Sequence, residues 1–237
     1  MISDLSEILS LSVKGMKKSA IRELLKLTKD PDVISFAGGL PAPETFPQDE
    51  IIEIVKEVIE EDGRLALQYG TTEGDDRLRE LIAENYNQEG FNITKENILI
   101  TTASQQGLDL LAKVFIDRGD KVLVGLPSYL GGLAAFNAYG AKMIGVEFDE
   151  HGMCPNKLEE KLAELKANGE KPKMIYIIPD FQNPAGVTLP ESRRRKIIEL
   201  AKKYDVLIIE DSPYKQIRFE GEDQASFYAL ERDGHVI

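Results

Sequence analysis

A regular alternation of short apolar runs with longer amphipathic segments, between residues 97 and 210, constrains the fold more than any other feature of the chain. Several runs, such as MIYII and VLII, are apolar throughout instead of alternating with polar residues. Strands with this pattern are buried on both faces, as in a mostly parallel sheet covered by helices. The alternation of strands and helices therefore predicts an α/β fold.

The predicted elements follow one another without a long interruption. Strands are expected at Ile98 to Thr102, Lys121 to Gly125, Lys142 to Phe148, Met174 to Pro179 and Val206 to Glu210. Helices are expected from about Gln105 to Ile116, Leu130 to Tyr139, Lys157 to Ala167 and Glu191 to Tyr204. The last residues, His235 to Ile237, resemble the first residues of another strand, which predicts a truncated chain; the alternative is a frayed tail.

Upstream of residue 97 the pattern is different. Met16 to Leu27 is predicted to be a short amphipathic helix, whereas the glycines and prolines of Ile34 to Pro47 exclude a regular helix there. Asp49 is predicted to cap a helix whose apolar positions have helical spacing: Ile51, Ile52, Val55, Val58 and Ile59. A polar loop from Tyr69 to Asp75 leads to a further helix, marked by Leu78, Leu81 and Ile82.

Charge and composition argue against several classes of function. With 29 Lys and Arg against 41 Asp and Glu, the formal net charge of −12 opposes broad binding of nucleic acid. A single cysteine, Cys154, excludes an internal disulfide framework and fits a reducing compartment. Two histidines and one cysteine argue against a His/Cys metal cluster. We find neither a secretory signal nor an apolar run near the roughly 18 residues of a membrane span, so the expected location is the cytoplasm.

Candidate ligand-binding residues follow the predicted strands, because ligands of open α/β sheets bind beyond the carboxyl ends of the strands. Ser104 and Gln105 open a helix, whose N-terminal N–H groups suit a phosphate; a plain serine N-cap is the alternative. Tyr129 follows the next strand and could stack on a planar ligand or simply pack in the core.

Two further candidates follow the later strands. The amide of Asn183 could bind a ligand oxygen, although the Asn-Pro sequence is also a turn signal. Asp211 places a carboxylate at the exit of a buried strand, which is costly unless a cation or hydrogen-bond donor meets it; the alternative is a salt bridge to a helix. Taken together, the candidates suit a flat, phosphorylated heterocycle that can carry a proton.

The chain also resembles a known family along nearly its whole length. The resemblance is carried by ISFAGGLPAPETFP, ALQYGTTEGDDRLRELIA, ITTASQQGLDLLAKVF, GLPSYLGGL, IPDFQNPAGVTLP and IIEDSPY. These segments are similar to those of pyridoxal-phosphate-dependent aminotransferases of fold type I, class I/II, in the branch of 2-aminoadipate and kynurenine aminotransferases. The resemblance implies two parts. Residues 1–47 would form an N-terminal arm and helix that contribute to the small domain and the active-site loop. Residues 48–237 would form a C-terminally incomplete large domain that binds pyridoxal 5'-phosphate.

The resemblance implies a role for each candidate residue. Ser104 and Gln105 would hold the cofactor phosphate, and Tyr129 would stack on the pyridine ring. Asn183 and Tyr214 would hydrogen-bond the phenolic oxygen of that ring.

Further roles concern charge and the substrate. Asp211 would pair with the protonated ring nitrogen, and the charged ring would then stabilise the carbanion left when the substrate loses its α-proton. Tyr69 would reach the phosphate held by the neighbouring subunit, which implies a homodimer. Gly38 and Gly39 would lie over the substrate. Arg22 would meet an acidic substrate side chain, with a solvated helix charge as the alternative.

The resemblance also implies that an essential part of the enzyme is missing. The Schiff-base lysine of the family would lie a few residues beyond Ile237, as would the arginine that binds the substrate carboxylate. Lys215 is expected to point away from Tyr214 in an extended segment and to be a poor substitute. The expected function is transfer of an amino group from an amino acid to a 2-oxo acid, with glutamate and 2-oxoglutarate favoured. The chain alone is expected to lack a catalytic residue and to be inactive.

Two other functions remain open from the sequence. Some transcriptional regulators fuse a winged helix to an aminotransferase-like domain, but neither a helix-turn-helix pattern nor a basic stripe is visible here. The chain could also be a non-catalytic remnant that binds the cofactor weakly.

Overall fold

The structure is a computed structural model that describes residues 5–14, 32, 34 and 41–237. The helix predicted from Met16 to Leu27 lies outside the described residues. The chain divides into two compact units, one formed by Lys17–Asp75 and the other by Met1–Met16 with Asp76–Ile237. The predicted domain boundary at residue 47 stays a prediction.

Eight α-helices are found in the described part of the chain. In chain order they are α1 (Leu11–Lys14), α2 (Gln48–Ala66), α3 (Asp76–Gln88), α4 (Ala103–Phe115), α5 (Leu130–Ala138), α6 (Pro155–Ala167), α7 (Glu191–Tyr204) and α8 (Phe227–Leu230). Short 3-10 turns occur at Leu5–Ile8, Pro43–Thr45, Lys95–Asn97 and Lys215–Ile217. None of the helices described is both long enough and apolar enough to cross a membrane.

A five-stranded sheet forms the centre of the larger unit. Its strands are β1 (Lys121–Leu126), β2 (Lys142–Asp149), β3 (Gly152–Met153), β4 (Met174–Ile177) and β5 (Leu207–Glu210). Their order across the sheet is β3-β2-β1-β4-β5, and only the short β3 runs antiparallel to its neighbour. The loops that follow β1, β4 and β5 therefore leave from the same edge of the sheet.

The chain end continues this sheet. Val236 forms a parallel bridge with Ile208 of β5, and the amide of Glu210 donates to the carbonyl oxygen of Ile237 at 2.8 Å. The last residues thus pair with β5 through a single bridge, as the first residues of a further strand would, and the strand itself stays a prediction.

The core consists of two layers, one on each face of the sheet. Leu123, Ile175 and Ile208 pack with residues of α6 and α7. Their neighbours along the strands face the other way and pack with residues of α4 and α5: Val122, Val124, Met174, Tyr176 and Ile209. Because alternate residues are buried on opposite faces, the continuous apolar runs are explained, and the α/β prediction is confirmed.

The strand predicted from Ile98 to Thr102 is wrong. Ile98 has an extended backbone, but no described residue forms a sheet ladder with this segment, and half of Leu99 is exposed. A strand exists only where a neighbour supplies hydrogen bonds, which a local apolar run does not reveal. The helix that follows begins at Ala103, two residues before its predicted start.

The prediction that Asp49 caps a helix is also wrong. Helix α2 begins at Gln48, its N-cap is Pro47, and no side chain makes a capping hydrogen bond there. Asp49 lies inside the first turn, where its negative charge still interacts favourably with the helix dipole.

Candidate functional site

The carboxyl edge of the sheet brings four predicted residues together. Asp211 follows β5 directly, and its amide donates to the carbonyl oxygen of Ile177 in β4. Asn183 lies in the loop after β4, and its Nδ2 is 3.4 Å from the hydroxyl of Tyr214. Tyr129 is the N-cap of α5, in the loop after β1. Asn183 and Tyr214 therefore lie side by side, and their role toward a ligand oxygen stays a prediction.

Tyr176, which is not among the residues predicted from the sequence, joins this cluster. Its hydroxyl donates a 2.7 Å hydrogen bond to Oδ2 of Asp211. Burial raises the pKa of Tyr176, and the nearby groups Asp211, Tyr129 and Tyr214 raise it further. A tyrosine in a strand that is buried on both faces needs a partner for its hydroxyl, and that requirement is the signal that could have identified it.

Asp211 lacks a cationic partner within the described part of the chain. Burial raises the pKa of its carboxyl group, and the hydrogen bond from Tyr176 opposes that rise. The salt bridge to a helix, considered as an alternative from the sequence, is not formed by any described residue. The carboxylate is therefore free to meet a cation supplied by a ligand.

The loop that carries Asn183 is held by the buried side chain of Gln182. Its Nε2 donates to the carbonyl oxygens of Pro127, at 3.2 Å, and of Asn183 itself, at 2.8 Å. Its Oε1 accepts from the amide of Ala185 at 2.8 Å. Gln182 thus joins the loop after β1 to the loop after β4. Sequence reasoning missed this residue because nothing in its local pattern indicates burial.

An ion cluster around Asp180 holds the beginning of the same loop. Asp180 is fully buried, and its Oδ1 accepts from Nη2 of Arg194 at 2.8 Å and from Nη2 of Arg218 at 3.1 Å. The guanidinium of Arg218 also lies 4.7 Å from the ring centroid of Phe181. Sequence reasoning missed both arginines because charged residues on helices and loops usually face solvent.

The first turn of α4 presents the predicted anion site. Ser104 is exposed, and Nε2 of Gln105 donates to the carbonyl oxygen of Gly131 at 3.1 Å, which links this turn to α5. The alternative of a serine N-cap is wrong, because Thr102 holds the N-cap position and makes no capping hydrogen bond with its side chain. The first N–H groups of a helix lack intrahelical partners and attract anions, which favours a phosphate at this turn. The phosphate role of Ser104 and Gln105 stays a prediction.

The remaining predicted residues belong to the other compact unit, form other contacts or lie outside the described residues. Tyr69 belongs to the Lys17–Asp75 unit, and its side chain is 99% exposed. Its role toward a neighbouring subunit stays a prediction. Arg22, Gly38 and Gly39 lie outside the described residues. Lys215 forms an ion pair with Glu89.

Comparison with known proteins assigns this arrangement to a family. The family described as Aminotransferase class I and II matches residues 32–237. The chain belongs to the class I and II aminotransferases. It is similar to Aromatic-amino-acid aminotransferase 1 of Thermococcus litoralis, with 49% identity over 236 residues. It is also similar to the 2-aminoadipate transaminase of Thermus thermophilus, with 40% identity over 228 residues.

Solved aminotransferase structures share its fold. A kynurenine aminotransferase from Pyrococcus horikoshii, solved in complex with PMP, matches 99% of this chain and 58% of its own with a TM-score of 0.91 and 44% identity. An alpha-aminoadipate aminotransferase from Thermus thermophilus, complexed with N-(5'-phosphopyridoxyl)-L-leucine, matches 96% of this chain and 55% of its own, with a TM-score of 0.85 and 38% identity. The predicted fold type I is confirmed.

The aminotransferase chain described here is shorter than these relatives. The matches cover 99% and 96% of this chain but only 56% and 55% of the two relatives from Thermococcus litoralis and Thermus thermophilus.

Proposed function

We propose that this chain forms the cofactor-binding part of an aminotransferase that uses pyridoxal 5'-phosphate. The observation that carries the proposal is the carboxylate of Asp211, which is partly buried, hydrogen-bonded by Tyr176 and without a cation in the described part of the chain. A buried carboxylate without a cation is unfavourable, and a protonated ring nitrogen would compensate it.

The other residues of the cluster fit the same ligand. The 3.4 Å contact between Asn183 and Tyr214 leaves both polar groups able to turn to one oxygen on a ring. Tyr129 offers an aromatic face beside them, and the first turn of α4, with Ser104 and Gln105, would bind the phosphate. Each group of the cofactor therefore has a counterpart of matching chemistry.

The chemistry follows from where charge is held. Pyridoxal 5'-phosphate supplies a positively charged ring that takes up the electron pair released when an amino acid loses its α-proton. Asp211 would hold the ring nitrogen in its protonated form, and the hydrogen bond from Tyr176 favours the ionised form of Asp211. Asn183 and Tyr214 would hold the ring oxygen, and the N-terminus of α4 would hold the phosphate, which together would fix the position of the ring.

The substrates are an amino acid and a 2-oxo acid in this proposal, with glutamate and 2-oxoglutarate favoured. The names of the relatives, which include aromatic-amino-acid and 2-aminoadipate aminotransferases, support this class and leave the amino acid open. Arg22 and Gly39 would contact the substrate. Tyr69 would serve the neighbouring subunit of a homodimer, and the enzyme would act in the cytoplasm.

The test uses pyridoxamine 5'-phosphate, because its binding requires no covalent bond to a lysine. Its affinity for the whole chain is measured by calorimetry for the wild type, for Asp211→Asn and for Asp62→Asn, which changes an exposed carboxylate of α2. We expect Asp211→Asn to weaken binding about tenfold or more, because a charge-assisted contact is lost. Asp62→Asn should bind like the wild type. Equal affinity of all three chains, or no binding by the wild type, would refute the proposal.

A further inference from the structure

The ring of Tyr176 is fixed from several sides. It is fully buried, and it packs edge-on against Phe136 with 5.3 Å between the ring centroids. The backbone of Gly132 in α5 approaches the ring so closely that a Cβ at this glycine would lie 2.8 Å from Cζ of Tyr176. The ring therefore has little room to shift, and its hydroxyl is held at one place beside the carboxyl edge of the sheet.

That hydroxyl engages one oxygen of Asp211. It donates to Oδ2 at 2.7 Å, and no other side-chain hydrogen bond or ion pair to this carboxylate occurs among the described residues. The other titratable groups beside Tyr176 are the phenols of Tyr129 and Tyr214, and neither side chain is a cation. Oδ2 already accepts this bond, whereas Oδ1 has no side-chain donor among the described residues and is the more available oxygen for a ligand.

We propose that Tyr176 is a positioning residue, which occupies Oδ2 of Asp211 and so presents Oδ1, in its ionised form, to a cationic ring nitrogen. This inference rests on the proposed function. Burial alone favours the neutral acid, whereas a donor to the carboxylate favours the charged form. Tyr176 therefore acts against the effect of burial, and the carboxylate that the ring nitrogen requires is maintained.

The first test measures the pKa of Asp211 in the ligand-free chain by NMR of ¹³C-labelled aspartate, with Asp211→Asn to assign the signal. Tyr176→Phe removes the hydroxyl and keeps the ring. Tyr139→Phe is the matched control, because its hydroxyl donates to another aspartate, Asp109, at 3.3 Å. We expect the pKa of Asp211 to rise in Tyr176→Phe and to stay unchanged in Tyr139→Phe. An unchanged pKa in Tyr176→Phe would overturn the inference.

The second test measures the affinity for pyridoxamine 5'-phosphate across a range of pH. Tyr176→Phe should bind about tenfold more weakly at neutral pH, and the loss should grow at lower pH, where its Asp211 becomes protonated. Tyr139→Phe should bind like the wild type. An equal loss in both variants would reduce the role of Tyr176 to general packing and overturn the inference.

The two proposals fail in distinguishable ways. If the wild-type chain does not bind pyridoxamine 5'-phosphate, the proposed function fails, while the titration of Asp211 still tests its coupling to Tyr176. If the wild type binds the cofactor and the pKa of Asp211 is unchanged in Tyr176→Phe, only the proposed role of Tyr176 fails. Should Tyr176→Phe not fold, the Cζ resonance of Tyr176 in the wild type decides instead. It should follow the titration of Asp211, and an independent course would contradict the inference.

Discussion

Nη2 of Arg194 donates to Oδ1 of Asp180 at 2.8 Å, and both side chains are fully buried. The remaining donors of Arg194 reach the carbonyl oxygens of Leu189, Pro179 and Ala225. A buried guanidinium placed in this way depends on a compensating negative charge. This ion pair therefore anchors helix α7 to the loop that carries Asn183.

The first prediction concerns this pair. We expect Asp180→Asn to lower the free energy of unfolding by about 3 kcal/mol or more, because it leaves Arg194 buried without its charged partner. Asp205→Asn is the control: Asp205 pairs with Lys171 in solvent and has a left-handed backbone that asparagine also tolerates. The control should change the free energy of unfolding by less than about 1 kcal/mol in urea titrations. A similar loss of unfolding free energy in both variants would contradict the claim that the buried pair is the more important one.

Much of the fold could be predicted because its determinants are local. The apolar runs of β1 and β4 indicate burial on both faces, and the predicted helix Glu191 to Tyr204 has the same bounds as α7. The segment from Ile98 to Thr102 has an equally apolar pattern and is not a strand. The difference lies in a partner strand distant in sequence, which periodicity cannot report.

The candidate site was only partly predictable for a similar reason. Asp211 could be identified because a carboxylate directly after a buried strand is unusual in itself. Tyr176 carries a weaker signal, because the hydroxyl of a tyrosine inside an apolar run needs a hydrogen-bond partner but the sequence does not show which residue supplies it. Gln182 and Arg194 act through contacts to residues in other loops, such as Pro127 and Ala225, that only the folded chain brings near.

The second prediction concerns the stability of the ligand-free chain with Asp211→Asn. Burial raises the pKa of Asp211 above 3.8, so the folded chain holds this proton to a higher pH than the unfolded chain does. Stability therefore falls as the pH rises through that interval, and the loss persists above it. We expect Asp211→Asn to be more stable than the wild type at about pH 7.5 in urea titrations, with the difference vanishing toward about pH 4. A destabilised variant at neutral pH would contradict the account.

The third prediction compares two helical glycines. A Cβ at Gly132 of α5 would lie 2.8 Å from the ring of Tyr176, whereas a Cβ at Gly63 of α2 would lie 3.8 Å from its nearest neighbour, in Ile59. We expect Gly132→Ala to lower the free energy of unfolding by about 1–3 kcal/mol, because the added methyl group overpacks this part of the core. Gly63→Ala should raise the free energy of unfolding by up to about 1 kcal/mol, because alanine forms helices more readily than glycine. Thermal unfolding of both variants measures the signs, and a gain for Gly132→Ala would contradict the close approach.

The last prediction concerns the pair that joins the end of β2 to α7. Nη1 and Nη2 of Arg193 donate to the two oxygens of Asp149 at 2.7 and 2.8 Å. The side-chain hydrogen bond from Arg193, together with the amide of His151, lowers the pKa of Asp149 to about 2. A lowered carboxyl pKa contributes stability above the unfolded value of 3.8, and that stability is lost as the pH falls toward about 2.

Arg193→Gln should therefore lower the free energy of unfolding by about 1 kcal/mol at pH 7. This value is at the upper end of the stabilisation that partly exposed ion pairs contribute, because the contact is bidentate. The deficit should shrink as the pH falls below 3.8, because the wild type then loses the same interaction. Arg195→Gln, which removes a more exposed pair with Glu191 on the same helix, should cost less at neutral pH. Urea titrations at several pH values measure both, and a deficit for Arg193→Gln that does not depend on pH would show that packing, and not the charge of Asp149, is responsible.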